Sequence, residues 1–170
     1  MRARNYREVK GQPYTRKKFI KGFPPPKITK FTMGNTESEF EYELKLVALK
    51  KVQIRHNALE AARITTNRPL SEKHSGNFRL QIIPYPHVIL RENKMIFGAH
   101  ADRLQDGMRQ SFGKPIGTAA RVEKDQTIIR VHVNKDGIET AKKALERASA
   151  KLPTPCRVIT KKIKKGKEAK

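Results

Sequence analysis

The sequence predicts an α+β fold in which two helices pack on a small mixed β-sheet and form a two-layer domain. Residues 40–49 and 127–133 alternate apolar and polar side chains, as half-buried strands do. Residues 136–152 instead place apolar side chains three or four positions apart, from Ile138 to Leu152, which is typical of a helix with one buried face. Strands interspersed with helices in this way indicate a sheet covered by a helical layer.

The remaining elements are shorter. Alternation or short apolar runs predict further strands at 28–33, 77–83, 118–123 and 156–160. The short apolar runs 87–91 and 94–97 lead into a long loop at 98–117.

Both helices have recognisable limits. The first begins near His56, and Pro69 is expected to end or kink it because proline lacks an amide N–H. Asp136 is the predicted N-cap of the second helix, with Glu139 three positions later as in a capping box. The predicted apolar stripe of the first helix consists of Ala58, Ala61, Ala62 and Thr65.

Positive charge dominates the composition. The 170 residues include 38 Lys+Arg and 16 Asp+Glu, for a net charge of +22. Ten cations and one anion lie in residues 1–30, and eight cations and one anion lie in residues 151–170. Such a balance points to a polyanionic partner, with nucleic acid as the first candidate and an anionic membrane surface as the second. No run of about 18 apolar residues is present, so a membrane-spanning helix is not expected.

The N-terminal arm, residues 1–27, lacks the apolar repeat of a helix or a strand. Tyr6, Tyr14 and Phe19 alternate with its cations, and the run at 22–26 favours extended chain. Phosphates would pair these cations and bases would stack on the aromatic rings, so RNA is the favoured partner. The alternative is a solvated tail without a partner.

The long loop holds four of the ten glycines together with His100 and the cations Arg103, Arg109 and Lys114. A loop of this length inside a compact domain is usually either functional or disordered. Its glycines permit close approach of the backbone to a partner, and its cations suit phosphate. The alternative is a surface insertion that binds nothing.

The residues that would carry catalysis are missing. Five residues separate Gly107 from Gly113, where a P-loop has four, and Pro115 stands where a magnesium-binding hydroxyl belongs. The histidines lack metal-ligand spacing, and Cys156, the single cysteine, is expected to be a small core residue. We therefore predict no enzymatic activity, no cofactor, no metal and no small-molecule substrate.

Several stretches together resemble a known family. They are RARNYR (2–7), PYTRKKF (13–19), GFPPPKI (22–28), LEAARI (59–64), RLQIIPYPHVILRENKM (79–95), ADRLQDGMRQSFGKPIGTAARV (101–122) and ALERASAKLP (144–153). They are similar to the universal large-subunit ribosomal protein that lies beside the peptidyl-transferase centre, in its archaeal and eukaryotic form. The bacterial relative is large-subunit protein sixteen. The short lysine-rich end favours the archaeal form.

The resemblance implies an α/β-hammerhead fold and a structural role in the cytoplasmic ribosome. It implies large-subunit ribosomal RNA, A-site and P-site transfer RNA and neighbouring ribosomal proteins as partners, with no membrane and no homo-oligomer. The expected ribosomal RNA contacts are Arg2, Arg4, Tyr6, Arg7, Tyr14, Lys17, Lys18, Lys21, Arg91 and Lys94. The loop at 101–115 is expected near transfer RNA, with Arg103, Gln105, Met108, Arg109 and Lys114 as its contacts.

The expected organisation is an RNA-binding arm at 1–27, a core domain at 28–160 and a lysine-rich tail at 161–170. Two alternative functions remain. One is a free-standing basic protein that coats nucleic acid, and the other is an RNA-modifying enzyme whose loop closes over an active site.

Overall fold

The computed structural model describes residues 2–98 and 101–163. His100 and the lysines after residue 163, which belong to the predicted loop and tail, lie outside the described residues. The elements in chain order are β1 (Thr32–Gly34), β2 (Tyr42–Ala48), β3 (Val52–Arg55), α1 (His56–Lys73), β4 (Phe78–Ile82), β5 (Val88–Glu92), α2 (Ala101–Leu104), β6 (Lys114–Val122), β7 (Thr127–Val133), α3 (Ile138–Ser149) and β8 (Cys156–Lys162). The fold is α+β.

The strands form two sheets, not one mixed sheet. A five-stranded sheet has the order β1-β4-β7-β2-β8, and a three-stranded sheet has the order β3-β6-β5. Every strand pairing in the described residues is antiparallel, which corrects the predicted mixed sheet. The links at 49–51 and 123–126 are too short for parallel crossovers, which need about a dozen residues or more.

One hydrophobic core joins both sheets to the helices. Leu44, Leu46 and Val131 of the five-stranded sheet are fully buried and share a cluster with Ile54 and Val122 of the three-stranded sheet. The long helices α1 and α3 pack against each other and against one face of the five-stranded sheet. Removing this apolar surface from water is the main stabilising contribution.

Helix α1 differs from its prediction in extent and in facing. It continues through Pro69 to Lys73, so the prediction that the helix could end at Pro69 is wrong. The buried stripe consists of His56, Leu59, Ala62, Thr66 and Leu70, about one position away from the predicted stripe. The large side chains determine which side of the helix faces the core, because Leu59 and Leu70 bury more apolar surface than the alanines Ala58 and Ala61.

Helix α3 has the predicted apolar face. Ala141, Leu145 and Ala148 are buried, and Leu152 follows them in the same core. The predicted N-cap is wrong, because a 3-10 turn at Lys135–Gly137 precedes the helix and contains Asp136. Gly137 occupies the N-cap position instead, without a side-chain capping bond.

The long loop has different limits from those predicted. Strand β6 begins at Lys114, where the backbone pairs with Glu92 of β5. Residues 94–97 do not form a strand, so the segment between β5 and β6 runs from 93 to 113. The sequence reading also missed β3, a four-residue strand directly before α1.

Replacing Pro69 by alanine should stabilise the protein. Proline in a helix interior costs about 3 kcal/mol relative to alanine, and its rigidity in the unfolded chain offsets about 0.4–1 kcal/mol. We therefore expect Pro69→Ala to raise the free energy of unfolding by roughly 1–3 kcal/mol in urea titrations followed by circular dichroism. The control is Asn67→Ala, at a residue that is also half-buried in α1. Its free energy of unfolding should rise by less than about 0.7 kcal/mol. Lower stability of Pro69→Ala would contradict this account and give the proline ring a packing role.

Candidate nucleic-acid interface

The N-terminal arm is fastened to both free edges of the three-stranded sheet. At the β3 edge the Gln53 backbone N–H donates to the carbonyl of Arg7 at 2.9 Å, and the Gln53 side chain donates to the carbonyl of Tyr6 at 3.0 Å. At the β5 edge the N–H of Ile89 donates to the carbonyl of Thr15 at 2.8 Å, and the N–H of Lys17 donates to the carbonyl of His87 at 3.0 Å. Unpaired edges attract other strands, so the arm also closes this sheet.

Between these edges the arm crosses the face of the sheet. Arg121, on the central strand β6, donates from its guanidinium to the carbonyl of Gly11 at 2.6 Å. Arg55 lies over the ring of Tyr6 at 5.5 Å. The arm therefore has a defined path even though its sequence contains no strand pattern.

Because the backbone of the arm makes these bonds, most of its predicted RNA contacts point into solvent. Arg2, Arg4, Arg7, Tyr14, Lys18 and Lys21 are exposed, and Tyr14 keeps 86% of its surface exposed. Tyr6 and Lys17 are half-buried. Lys17 donates to the hydroxyl of Tyr85 at 2.8 Å and lies over the ring of Phe23 at 5.4 Å, so its ammonium group is partly committed within the protein.

The far end of the arm is held by a histidine. The N–H of Lys27 donates to Nδ1 of His56 at 2.9 Å, and the next residue, Ile28, is 1% exposed. Burial, together with the positive charges of Arg55 and Lys27, holds the pKa of His56 below its usual 6.5. The neutral ring, with its proton on Nε2, is therefore the form that accepts this bond. Gly117 of β6 leaves room for the ring, because a Cβ there would lie 2.9 Å from Nε2 of His56.

The long loop is braced by polar contacts across its base. The Asn93 side chain donates to the carbonyl of Gly107 at 2.8 Å, and the N–H of Ile96 donates to the side-chain oxygen of Gln105 at 3.1 Å. Arg91 donates to the carbonyl of Phe112 and lies 4.4 Å from the centre of the Phe112 ring. Gln105 and Arg91, predicted as RNA contacts, thus also hold the loop together.

Gly113 is required where the loop returns to β6. Its φ of +75° is a conformation that residues with side chains rarely adopt. A Cβ at this position would also lie 2.7 Å from the sulfur of Met108 and 3.2 Å from the carbonyl carbon of Glu92. The close packing of Met108 over the loop base therefore depends on glycine.

The outer part of the loop presents both cations and apolar side chains. Arg103 and Arg109 are exposed and form no ion pair with any side chain that the structure describes. Exposed large apolar residues surround the same segment: Met95, Ile96, Phe97, Leu104, Met108 and Phe112. Contiguous exposed apolar surface beside charges is typical of an interaction site.

A cleft of about 1060 Å³ brings the arm and the loop together. Arg2, Arg4 and Tyr6 line it from the arm, and Arg91, Lys94 and Met108 line it from the loop side. The structure therefore gathers residues from both predicted sets at one place. Arg103, Gln105 and Arg109 line a separate small depression of about 290 Å³, and Lys114 stands at the start of β6.

Comparison with known proteins identifies the family. The family described as ribosomal protein L16p/L10e matches residues 9–159. The chain belongs to this family. Its role is therefore that of a structural ribosomal protein and not that of an enzyme, and its location is the cytoplasmic ribosome, as predicted.

Similar proteins named "Large ribosomal subunit protein uL16" cover nearly the whole chain. The protein of Staphylothermus marinus is 53% identical over 165 residues, which is 96% of this chain and 95% of the relative. The protein of Sulfolobus acidocaldarius is 55% identical over 154 residues, or 89% and 88% of the two chains. That of Methanococcus maripaludis is 48% identical over 167 residues, or 98% and 95%. The predicted archaeal form of the L16p/L10e family is thus confirmed.

Three findings concern a cysteine nucleophile, a metal site and a membrane-spanning helix. Burial raises the pKa of the Cys156 thiol to about 11, which makes it a poor nucleophile near neutral pH. In the described part of the chain, no His, Cys, Asp and Glu side chains gather into a group of three or more that would bind a metal. None of the described helices is long and apolar enough to cross a bilayer.

Sequence reasoning missed the residues that position this L16p/L10e interface. His56, Gln53 and Asn93 bind backbone groups of the arm and of the loop, and Arg121 does the same at Gly11. Asn93 and Arg121 lie within the stretches that carry the family resemblance, which was a usable signal. No pattern in the sequence marks His56 or Gln53, because their partners are backbone groups 29 and 47 positions away.

Protonation of His56 should release the far end of the arm. Its folded-state pKa is lowered, so the unfolded chain takes up a proton first as the pH falls below about 6.5. The stabilisation contributed by neutral His56 is therefore complete above that pH and is lost as the pH falls through the folded pKa. An NMR titration should place the His56 ring below 6.5, and His56→Gln should flatten the fall in stability between pH 7 and 5. Part of that fall will remain, because burial also lowers the pKa of His132. A His56 pKa at or above 6.5 would contradict this assignment.

Proposed function

We propose that this protein is a constituent of the large ribosomal subunit that binds ribosomal RNA through its arm and cleft and helps to position transfer RNA through its loop. The observation that carries the proposal is the shared cleft, where Arg2, Arg4 and Tyr6 of the arm meet Arg91 and Lys94 beside the loop. Such a concentration of cations beside an aromatic ring suits a folded RNA strand. The archaeal relatives, each named "Large ribosomal subunit protein uL16", support the same assembly.

The arm is suited to phosphate because its backbone is already ordered. Hydrogen bonds at Tyr6, Arg7, Thr15 and Lys17 fix its path, so binding RNA would require little further ordering of the chain. The cations of the arm are then available to phosphates, and Tyr14 offers an aromatic face for a base. Lys18 and Lys21 extend the same basic surface along the arm.

The loop combines a braced base with an exposed outer part. Arg103 and Arg109 have the reach to pair with transfer RNA phosphates, and Met108 supplies an apolar surface next to them. We assign the loop at 101–115 to the acceptor end of P-site transfer RNA and the neighbouring surface to A-site transfer RNA, following the family resemblance. Gln105 would act mainly by holding the loop, and Lys114 by flanking it at the start of β6.

Further features belong to the same proposal. The two antiparallel sheets and their helices form the α/β-hammerhead that the resemblance implies. The arm at 1–27, the core at 28–160 and the tail at 161–170 act as separate functional parts, with neighbouring ribosomal proteins as additional partners. A free-standing basic protein or an RNA-modifying enzyme would instead stay off the large subunit in cell fractionation at high salt.

The arm should determine how binding depends on salt. Arg2→Gln, Arg4→Gln and Arg7→Gln together remove three exposed cations. Each neutralised phosphate contributes roughly 0.7–0.9 to the slope of log affinity against log salt, so the slope for large-subunit ribosomal RNA should fall by roughly 2–3. The control changes Lys142, Lys143 and Arg147 to glutamine, which removes the same charge from the exposed side of α3. An equal fall for both variants would show that only net charge matters and would count against the arm as the contact.

The loop should matter more for translation than for assembly. Replacing 102–112 by a short Gly/Ser linker should leave the core folded and the protein on large subunits, because the core residues lie elsewhere. Translation by those ribosomes should drop sharply. Arg103→Ala and Arg109→Ala should each weaken transfer RNA binding by about 1.5–3 kcal/mol, the usual contribution of a charged hydrogen bond. Lys124→Ala, an exposed cation in the β6–β7 turn, is the control. Normal translation by loop-replaced ribosomes would refute the assignment.

A further inference from the structure

The outer face of the five-stranded sheet, opposite the helices, carries two rows of polar side chains. Residues paired across neighbouring strands share a face of the sheet. The pairings place Arg79, His132, Glu43 and Lys161 in one row across β4, β7, β2 and β8. They place Thr32, Gln81, Arg130, Lys45 and Ile159 in a second row, two residues along each strand. We call these two rows the outer sheet face.

The outer sheet face is basic and internally organised. Lys45 Nζ lies 3.1 Å from one carboxylate oxygen of Glu43, and Arg130 Nε lies 2.9 Å from the other. These interactions lower the pKa of Glu43 although burial of the carboxyl opposes the shift, so Glu43 is ionised and holds both cations in place. His132 lies 3.6 Å from the same carboxylate, and burial keeps its own pKa low, so it adds no charge near neutral pH.

Two further cations on this face have no such partner. Arg79 and Lys161 form no hydrogen bond or ion pair through their side chains with the residues that the structure describes. Nε of Arg79 is buried without a hydrogen-bond acceptor, as is Nε of Arg130, but Arg130 has the carboxylate of Glu43 as an ion-pair partner. With Lys45 and Arg130 they outnumber the single carboxylate, Glu43. A guanidinium whose donors are not used within the protein is suited to bind an external anion.

The two sheets of the protein differ in what covers them. The arm crosses the three-stranded sheet and bonds both of its edges. On the five-stranded sheet both long helices pack on the inner face, where Leu44, Leu80 and Val131 are fully buried. On the outer face Thr32, Ile159 and Lys161 are exposed, and the side chain of Arg130 keeps 35% of its surface exposed.

The chemistry of this face selects a kind of partner. It offers cations, a hydroxyl and an amide, but its only ring, His132, is stacked on Phe40 at 6.4 Å. It therefore lacks the aromatic surface on which single-stranded bases stack, whereas the arm carries exposed Tyr14. A protein partner would favour a more apolar centre than the single exposed Ile159. Duplex RNA, which proteins bind mainly through phosphates and 2′-hydroxyls, matches the available groups.

We propose that the outer sheet face is a second RNA-docking surface, which binds the phosphate backbone of a ribosomal RNA duplex through Arg79, Arg130, Lys45 and Lys161. This proposal rests on the proposed binding of ribosomal RNA by the arm and adds a separate contact on a different side of the molecule. Thr32 and Gln81 bind 2′-hydroxyl groups beside the phosphates. Glu43 acts as a positioning residue that keeps Arg130 and Lys45 upright on the sheet.

The first test compares two charge-matched variants of the full chain. Arg79→Gln with Lys161→Gln removes both unpaired cations of the outer sheet face, and Lys142→Gln with Lys143→Gln removes the same charge from α3. The probes are a 20-base-pair RNA duplex of mixed sequence and a 20-nucleotide oligouridine. The outer-face variant should bind the duplex about tenfold more weakly at 0.15 M salt. The slope of its log affinity against log salt should be smaller by roughly 1.4–1.8 than that of the wild type. Its affinity for oligouridine should change less, and the α3 variant should bind both probes nearly as wild type does.

The second test keeps every cation and adds repulsion. Ile159→Glu introduces a carboxylate on the outer sheet face, and Ile64→Glu does so on α1; both isoleucines are exposed, at 39% and 50%, so neither change disturbs the core. Only Ile159→Glu should weaken duplex binding and large-subunit association. Wild-type duplex affinity for both outer-face variants would overturn the proposal. So would unchanged duplex affinity combined with lost subunit association, which would assign the face to a protein partner. If only the variant at Arg2, Arg4 and Arg7 lost duplex affinity, the proposal would also be overturned, and the proposed function of the arm would stand.

Discussion

The backbone hydrogen bonds between the arm and the three-stranded sheet are the interaction on which the rest of the interface depends. The arm, with nine cations and one anion in residues 1–27, has too little apolar surface to fold alone. The sheet, in turn, has two free edges in β3 and β5. The arm satisfies the donors at Gln53 and Ile89 and thereby gains a fixed path. Both problems are solved by one set of contacts, and the cleft beside the loop exists because of it.

Two half-buried acidic residues of the ordered domain position cations. Glu43 holds Lys45 and Arg130, and Glu60 holds Arg63 through two short contacts on α1. In a chain of net charge +22, such carboxylates reduce repulsion within the folded domain while leaving the outward cations unpaired. Folding is therefore favoured by pairing cations with carboxylates, whereas RNA binding is favoured by leaving cations unpaired. The protein uses different residues for each.

Sequence reasoning predicted those elements whose signal is local. The face of α3 followed from the spacing of Ala141, Leu145 and Ala148, and the fold class followed from the alternation of strands such as β2 and β7. The facing of α1 was missed because four neighbouring small residues gave an ambiguous stripe, which only tertiary packing of Leu59 and Leu70 resolves. The family resemblance supplied the candidate RNA-binding residues, but the paired edges, the His56 contact and the outer sheet face depend on pairings between distant segments. Local patterns contain no information about such register.

The long loop combines a rigid base with cations that are accessible to a binding partner. Its base is fixed at Asn93, Arg91 and Gly113, each of which contacts backbone or a packed side chain within the loop region. Its outer part leaves Arg103 and Arg109 in solvent. A fully mobile loop would lose ordering entropy on every encounter with RNA, whereas a buried one would have no surface to offer. Bracing the base lowers the entropic cost of binding while the cations remain accessible. This division explains why Gly113, the loop glycine that is hardest to replace, lies at the base.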